Sequence, residues 1–485
     1  MSRKYKSIGV NAILNAIKTS LSIIFPLITY PYAFRVLHTE NIGKVNFASS
    51  IVGYFALIAA LGYSSYAVRE GAKIRDDKER INNFASQIFS MNLLTTIVAY
   101  FLLFVCIAVV PRLADYKILI VISSMSIILT TLSIEWVNTI YEDYLFITIR
   151  SIIAQLIILV LMFIIVRNEE DYLKYAMLGN LSSIAVCILN CFYCKRYVKI
   201  KFTFKINIKK HLKPISLLFA NAVATTIYVN SDVTMLGWIS GDYSVGIYSV
   251  AVKIYTVMKN VISAIYTVAI PRIAYYVGKN DIEGIKHLYS LVVSRVLLFL
   301  LPASAGIICI AREIIMFMGG GEYIDGIVTL QILAISLVGA ILGGLITYCF
   351  NIPTGKEKYN MEATTISAII NIGLNFVLLP SMKQDGAAFS TVISEFFVFV
   401  YCFVRNKNVR KYIDWNIIKK NIFHAAIGIL TIIGISICCH VFIKNYLVSM
   451  IVIILLSVIT YSAELVLLNN ELATYAISVI KRKLS

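Results

Sequence analysis

The sequence predicts an all-α polytopic membrane protein with about 14 transmembrane helices, and three observations lead to this fold class. Of the 485 residues, 59% are hydrophobic and only 14% are charged, whereas about a quarter of a soluble domain is charged. Apolar runs of about 20 residues, the length of a membrane-spanning helix, follow one another along the chain. The runs are too long and too uniform for the alternating strands of about 10 residues in a membrane β-barrel.

Each apolar run is expected to form a helix, because a helix satisfies its own backbone hydrogen bonds in lipid. The connections between the runs are short, so we expect no soluble domain. The expected spans begin near Val10, Val45, Ala85, Ile118, Ile149, Tyr172, Pro214, Val245, His287, Ile327, Met361, Ala387, Ile422 and Leu447.

The net charge of +18 indicates topology rather than nucleic-acid binding. With the N-terminus inside, inner loops hold roughly 31 of the 44 Lys and Arg residues and outer loops hold roughly 9, which is the positive-inside pattern. Both termini are therefore expected in the cytoplasm, with anionic inner-leaflet lipids as partners. The apolar run after the basic residues 1–9 is too long for a cleavable signal peptide.

A repeated pattern suggests two related halves. Gly43 precedes Arg69 by 26 residues, and Gly246 precedes Arg272 by the same number. Six spans separate the two copies, so the halves should have parallel orientation. Parallel repeats are typical of transporters whose substrate site lies where the repeats meet.

The predicted organisation has four parts: a six-helix bundle over residues 1–198, a basic cytoplasmic linker over 199–213, a second six-helix bundle over 214–405, and two further helices with a cytoplasmic tail over 406–485. Polar and apolar residues alternate in the linker, which predicts an extended or interfacial segment. The linker either holds anionic headgroups or only anchors the topology.

Polar side chains at helical spacing predict a wet cavity lined by spans one, seven and eight. The stripes are Asn11, Asn15, Lys18 and Ser22; Asn221, Thr225, Tyr228 and Asp232; and Ser249, Lys253, Thr256, Asn260 and Ser263. Pro26, Pro31 and the glycines of span ten either bend helices during transport or reflect ordinary membrane-helix composition.

Charges inside apolar spans are costly unless they meet water or a partner, so they suggest function. The predicted substrate-binding residues are Asn11, Asn15, Lys18, Asn221, Asp232, Lys253, Asn260 and Arg295. The cations suit a diphosphate, and the amides suit sugar hydroxyls. Alternatively, Lys18, Lys253 and Arg295 extend to the membrane surface, and Asp232 caps a helix or pairs. Cys191 and Cys194 form either a metal or redox motif or ordinary helix packing; we expect no metal and no bound cofactor.

Several stretches together resemble a known family. They are FPLITYPYAFRVL over Phe25–Leu37, ENIG over Glu40–Gly43, FASS over Phe47–Ser50, AVRE over Ala67–Glu70, and the segment Asp232–Tyr248. They are similar to the polysaccharide-biosynthesis flippases, the Wzx-type O-antigen repeat-unit transporters of the multidrug/oligosaccharidyl-lipid/polysaccharide superfamily. One departure is His38-Thr39, where relatives commonly have Gly-Pro.

The resemblance implies a MATE-like pair of six-helix bundles in a bacterial inner membrane, working by alternating access rather than as an enzyme. It implies undecaprenyl-diphosphate-linked oligosaccharides as substrate, coupling to a proton or sodium gradient, and polymerase and chain-length proteins as partners. Three alternatives remain open: a cation-coupled multidrug exporter, a flippase for another cell-wall precursor, and a membrane polymerase or ligase. The last class needs a large external catalytic loop, and the longest expected outer loop, near residues 311–326, is short.

Overall fold

The computed structural model describes the backbone of residues 8–484, and their side chains except those of 8–20, 22, 23, 209, 210, 217, 218, 220, 221, 476 and 479–484. Helices dominate this range. They are α1 (Ile8–Ala60), α2 (Tyr63–Ile74), α3 (Lys78–Val109), α4 (Pro111–Ala114), α5 (Lys117–Ser133), α6 (Glu135–Ile140), α7 (Tyr144–Ile165), α8 (Tyr172–Cys194), α9 (Ile208–Ser240), α10 (Asp242–Thr267), α11 (Ile270–Gly278), α12 (Ile282–Cys309), α13 (Ala311–Met318), α14 (Gly326–Ile346), α15 (Glu357–Arg405), α16 (Lys407–Lys411), α17 (Trp415–Phe442), α18 (Tyr446–Leu467) and α19 (Glu471–Leu484).

The helix lengths agree with the predicted polytopic fold. Within the described residues, eleven helical segments are long and apolar enough to cross a membrane. Two of these segments, in α1 and α15, contain an internal break, and α9 adds a further helix of 33 residues. Counting the broken helices as pairs and including α9 gives a number consistent with the expected fourteen. The chain is therefore a multi-pass membrane protein.

The break in α1 falls at His38, whose φ of 61° and ψ of 171° lie in a region that glycine enters far more readily than other residues. Such a conformation costs about 1–3 kcal/mol for a residue with a Cβ. Both Pro26 and Pro31 lie inside the helical segment before the break. The helix is therefore interrupted at His38 and not at either proline.

Contacts divide the chain into two compact units, the first ending at Gly246 and the second beginning at Ile247. In the first unit, α1 packs against α3, α5, α7 and α9. In the second unit, α14 packs against α15, and α12 packs against α17. The four sequence-based boundaries stay a prediction; α9 begins at Ile208, before the expected start at Pro214, and belongs to the first unit.

Within the first unit, each of the two repeat glycines packs against the segment that precedes the other glycine. A Cβ on Gly43 would overlap the backbone carbonyl of Asp242, and a Cβ on Gly246 would overlap the backbone carbonyl of Thr39. Asp242 lies four residues before Gly246, and Thr39 lies four residues before Gly43. The two contacts are therefore equivalent, as in a two-fold interface.

The predicted linker is extended over residues 199–207 and follows α3. No partner strand among the described residues accepts its backbone hydrogen bonds; instead, side chains of α3 that are spaced one helical turn apart accept them. The N–H groups donate from Lys199 to Asn82 Oδ1 (2.8 Å), from Lys201 to Ser86 Oγ (3.1 Å) and from Thr203 to Ser90 Oγ (2.9 Å). The side chains of Lys199, Lys201 and Lys205 are exposed. The period-two pattern therefore corresponds to a segment bound along a helix.

Candidate functional site

The first unit contains five of the predicted substrate-binding residues. Four of them, Asn11, Asn15, Lys18 and Asn221, lie outside the described side chains, so their role stays a prediction. Asp232 is buried on α9. Close to it along α9, Thr234 accepts a hydrogen bond from Tyr54 (3.2 Å) and donates one to Ser50 (2.9 Å), which joins α9 to α1.

The second unit contains the other three predicted residues. Lys253 and Asn260 lie on α10, half-buried and exposed respectively, and Arg295 is half-buried on α12. Seven residues separate Lys253 from Asn260, so the two side chains share one face of α10. The predicted stripe is therefore present on α10, and its contact with substrate stays a prediction.

A buried ion pair in the second unit was not identified from the sequence. Lys259 Nζ on α10 lies 2.8 Å from Glu395 Oε1 on α15, and Tyr255 OH donates to the same oxygen (3.0 Å). The Glu395 side chain is 8% exposed and that of Lys259 is 35% exposed. Removing one member of such a pair leaves an uncompensated charge, so the pair fixes α10 against α15. The sequence feature that could have identified this pair is Lys259, a second lysine in an apolar span.

Gly339 explains how closely α14 approaches α15 beside this pair. A Cβ on Gly339 would lie 2.9 Å from the backbone nitrogen of Phe396. Only glycine allows this distance between the two backbones. Gly339 therefore has a role in packing, and the two interpretations of the span-ten glycines, bending during transport and ordinary composition, stay predictions.

The first unit contains a polar cavity of about 440 Å³. Two breaks border it. The chain turns between α1 and α2 at Leu61 and Gly62, whose φ angles are 41° and 82°, and between α5 and α6 at Ile134, with a φ of 44°. The lining residues are Ala56, Ala59, Ala60, Tyr63, Ser64, Asn92, Ser126, Ile127, Thr130, Thr131, Ser133, Glu135, Trp136 and Thr139.

Hydroxyl groups dominate the polar part of this lining, together with one amide and one carboxylate. Asn92 Oδ1 is buried and has no hydrogen-bond partner among the described residues. Buried polar atoms normally have a partner, so this oxygen is available to a ligand or to water. Trp136, which is 9% exposed, also lines the cavity and is next to Glu135 in the chain.

Glu135 is the charged side chain of the lining, and Arg150 on α7 provides its counter-charge. Arg150 Nη2 lies 3.4 Å from Glu135 Oε2; the Arg150 side chain is 2% exposed and that of Glu135 is 41% exposed. The Arg150 guanidinium also lies 5.3 Å from the Phe146 ring. Its Nε and Nη1 have no hydrogen-bond partner in the described part of the chain. Arg150 is thus a buried cation that depends strongly on one partly exposed carboxylate.

At the same end of the first unit, Asp143 organises the loop between α6 and α7. Its Oδ2 accepts hydrogen bonds from Tyr193 OH (2.5 Å) and Tyr197 OH (2.6 Å), and Arg196 Nη2 lies 3.4 Å away. Burial alone would raise the pKa of Asp143, but the two hydroxyl donors and the Arg196 charge together lower it below the ordinary value. The loop is therefore fixed to the end of α8 and to the residues just before the linker.

The two thiols of the C-x-x-C spacing are both used in hydrogen bonds. Cys191 Sγ donates to the carbonyl of Leu132 (3.3 Å), and Cys194 Sγ donates to Asn138 Oδ1 (3.4 Å). Over residues 8–484, as far as their side chains are described, no group of three or more potential metal ligands is present. The packing interpretation accounts for both cysteines.

Residues 8–277 match the family described as polysaccharide biosynthesis protein, and residues 217–377 match the MatE family. A protein of Escherichia coli (strain K12) whose name describes O-antigen transport is 24% identical over 84% of this chain and 99% of its own length. The capsular polysaccharide biosynthesis protein CapF of Staphylococcus aureus is 24% identical over 74% of this chain and 88% of its own length.

Solved structures confirm the fold class. The lipid II flippase MurJ in an inward closed conformation superposes with a TM-score of 0.72 at 18% identity, over 93% of this chain and 99% of that chain. An inward-facing multidrug resistance MATE family transporter of the MOP superfamily superposes with a TM-score of 0.58 at 16% identity, over 80% and 99%. The predicted MATE-like helical architecture is therefore confirmed.

Proposed function

Because this chain belongs to the polysaccharide biosynthesis protein family, we propose that it is a flippase for lipid-linked oligosaccharides. The proposed cargo is an oligosaccharide repeat unit of an O-antigen or capsule, carried on undecaprenyl diphosphate. It moves from the cytoplasmic to the outer leaflet of a bacterial inner membrane by alternating access. The chain acts as a transporter, not as an enzyme.

One observation supports this function more than any other: a unit built from apolar spans encloses a cavity lined by hydroxyls, an amide and a carboxylate. Polar groups are expensive inside a membrane and usually mark the path of a substrate. A sugar offers hydroxyl groups that can donate to and accept from such a lining. A cargo made only of apolar groups would offer these side chains no hydrogen bonds.

The diphosphate needs cations, and in this proposal Lys18, Lys253 and Arg295 bind it. Lysine acts as a point charge toward phosphate, and arginine offers two parallel donors. No carboxylate pairs with Arg295 among the residues whose side chains are described. Asp232 neutralises a cavity cation when substrate is absent. The asparagines at 11, 15, 221 and 260 complete the proposed set by bonding sugar hydroxyls.

The proposed topology has both termini in the cytoplasm, as the distribution of Lys and Arg indicates. The exposed lysines of the linker then face anionic inner-leaflet lipids. A proton or sodium gradient drives the cycle, and polymerase and chain-length proteins receive the product. Nucleic acid is not a partner in this proposal.

The first experiment follows lipid-linked repeat units in a strain that lacks this chain. We expect the units to accumulate on the cytoplasmic leaflet and the surface polysaccharide to be lost, with both restored by complementation. Normal surface polysaccharide together with new drug sensitivity would instead identify a multidrug exporter. Accumulation of a different lipid-linked wall precursor would retain the flippase activity and reassign its cargo.

A further inference from the structure

We infer that the cavity of the first unit is a sugar subsite that accepts neutral and amino sugars and disfavours acidic ones. This inference rests on the proposed function, because it assigns one part of the proposed cargo to one cavity. It goes further by naming the chemical class of sugar and the group that selects it, Glu135.

The cavity has the size and the polar lining of a carbohydrate subsite. Its volume of about 440 Å³ lies in the range of about 300–1,000 Å³ that small-molecule pockets occupy. Ser64, Ser126, Thr130 and Thr131 place hydroxyls around it. Ser126 and Thr130 already donate to backbone carbonyls within α5 (2.7 Å each), so their oxygens remain as acceptors for the hydroxyl groups of a sugar.

An aromatic surface and an unpartnered amide oxygen provide the orientation. Trp136 and Tyr63 line the same cavity, and aromatic side chains offer apolar faces with a polar edge. A sugar ring has an apolar C–H face that can lie against such a surface. Asn92 Oδ1, buried and without a partner among the described residues, would accept from a sugar hydroxyl. The ligand thereby satisfies an atom that the protein leaves unpaired.

The charge of the lining decides which sugars fit. Glu135 is the charged side chain among the described lining residues, which include no lysine or arginine. Arg150 lies behind Glu135, is 2% exposed and does not line the cavity, so it does not reach a ligand there. A uronic acid carboxylate or a phosphate would face Glu135, whereas an ammonium group would form a charge-assisted hydrogen bond with it. The diphosphate of the cargo is therefore bound by groups outside this cavity.

The experiment uses Trp136 as its own reporter. The chain has three tryptophans, and Trp238→Phe with Trp415→Phe leaves only the cavity residue. The purified full-length chain in nanodiscs is titrated with glucose, glucosamine and glucuronate, at a pH where the amine is protonated and the acid is ionised. We expect Trp136 emission to change with glucose and glucosamine. Binding of glucosamine should be on the order of tenfold tighter than that of glucuronate.

Two further variants test the assigned role of Glu135. In Glu135→Gln, glucosamine and glucuronate should bind within about twofold of each other. If this variant does not fold because Arg150 loses its partner, Glu135→Gln with Arg150→Met removes both charges and should show the same loss of selectivity. Lys44→Gln, on α1 and absent from the cavity lining, is the control for loss of a charge and should retain the selectivity for glucosamine over glucuronate.

The outcomes separate this inference from the proposed function. No Trp136 response to any of the three sugars, or equal affinities for glucosamine and glucuronate in the parent protein, would overturn the subsite. Surface polysaccharide is scored in parallel in cells. If complementation succeeds while the titration fails, the flippase proposal stands and the sugar is bound elsewhere. If sugars bind with the expected selectivity but complementation fails, the subsite stands and the proposed transport is wrong.

Discussion

Glu135 and Arg150 form one ion pair, but loss of the Glu135 charge should destabilise the protein more than loss of the Arg150 charge. Glu135→Gln leaves a guanidinium that is 2% exposed with no opposing charge, and breaking a buried pair in this way costs about 3–5 kcal/mol. Arg150→Met leaves a carboxylate that is 41% exposed toward the cavity, where water can solvate it. Solvent screening reduces that cost to about 1 kcal/mol. Removing both charges should return stability to within about 1 kcal/mol of the parent.

The assay is urea or thermal unfolding of the purified protein in one detergent, followed by a fluorescent probe of thiol exposure. The matched control is Arg80→Met, which breaks an exposed pair with Asp77 (3.1 Å; 76% and 47% exposed) and should change stability by less than about 1 kcal/mol. If Arg150→Met destabilised the protein more than Glu135→Gln, the burial argument would be refuted. If the double variant were as unstable as the sum of the single variants, the two side chains would not be coupled.

The other predictions concern the helix crossing, the linker and the loop. Gly43→Leu should abolish folding or transport, because the added side chain overlaps the Asp242 carbonyl. The control is the adjacent substitution Lys44→Gln, which should leave protein levels unchanged. Membrane yield measures folding, and complementation measures transport. Ser86→Ala with Ser90→Ala should release the linker and increase trypsin cleavage there at least severalfold over Ser123→Ala, and unchanged cleavage would contradict its attachment to α3. The pKa of Asp143 is lowered in the folded protein, so its ionised carboxylate stabilises the fold above the ordinary pKa of 3.8, and this stabilisation is lost as pH falls through the lower folded-state pKa. Asp143→Asn should remove this contribution to acid destabilisation. An unchanged dependence of stability on pH in the acid range would refute the prediction.

The architecture was predictable because the information for it is local. A run of about 20 apolar residues specifies a span wherever it occurs. The alternation in the linker was equally local, and the structure shows the corresponding extended segment. Even the glycine spacing was visible, since Gly43 and Gly246 occupy equivalent places in the two copies of the pattern. What the sequence did not show was that each glycine allows a close approach to the other copy.

The pairing of charges was not predictable, because it depends on which helix faces meet. Neither Arg150 nor Glu135 was among the predicted substrate-binding residues. The two are fifteen positions apart on different helices, α6 and α7, and only the turn at Ile134 brings the carboxylate to the cavity. Lys259 was missed for the same reason, since its partner Glu395 lies on α15.

The two units also resemble each other at the ends of α5 and α14, where each helix is interrupted, although the repeated sequence motif does not include these positions. In the first unit, Asn138 after the break donates to Asn190 on α8. In the second unit, the π-helical turn Thr347–Asn351 follows α14, and Asn406 after α15 donates to Asn351 Oδ1 (2.7 Å). Each unit therefore fixes a broken helix with an asparagine pair. A helix interrupted inside a membrane exposes backbone groups that must be satisfied, and the amide side chains near each break help to hold the local structure.

The two units share this device but differ in the charge that they offer a substrate. The first unit has a cavity whose charged lining residue is a carboxylate, with its cation buried behind it. The second unit has Lys253, Lys259 and Arg295, and Glu395 pairs with Lys259. A lipid-linked oligosaccharide likewise consists of a sugar part that a carboxylate tolerates and a diphosphate that it repels. On the proposed function, the cavity of the first unit therefore suits the sugar part, while Lys253 and Arg295 of the second unit, together with Lys18, suit the diphosphate. Changing Glu135 should then alter sugar selectivity, and changing Arg295 should weaken binding of every cargo that carries the same diphosphate.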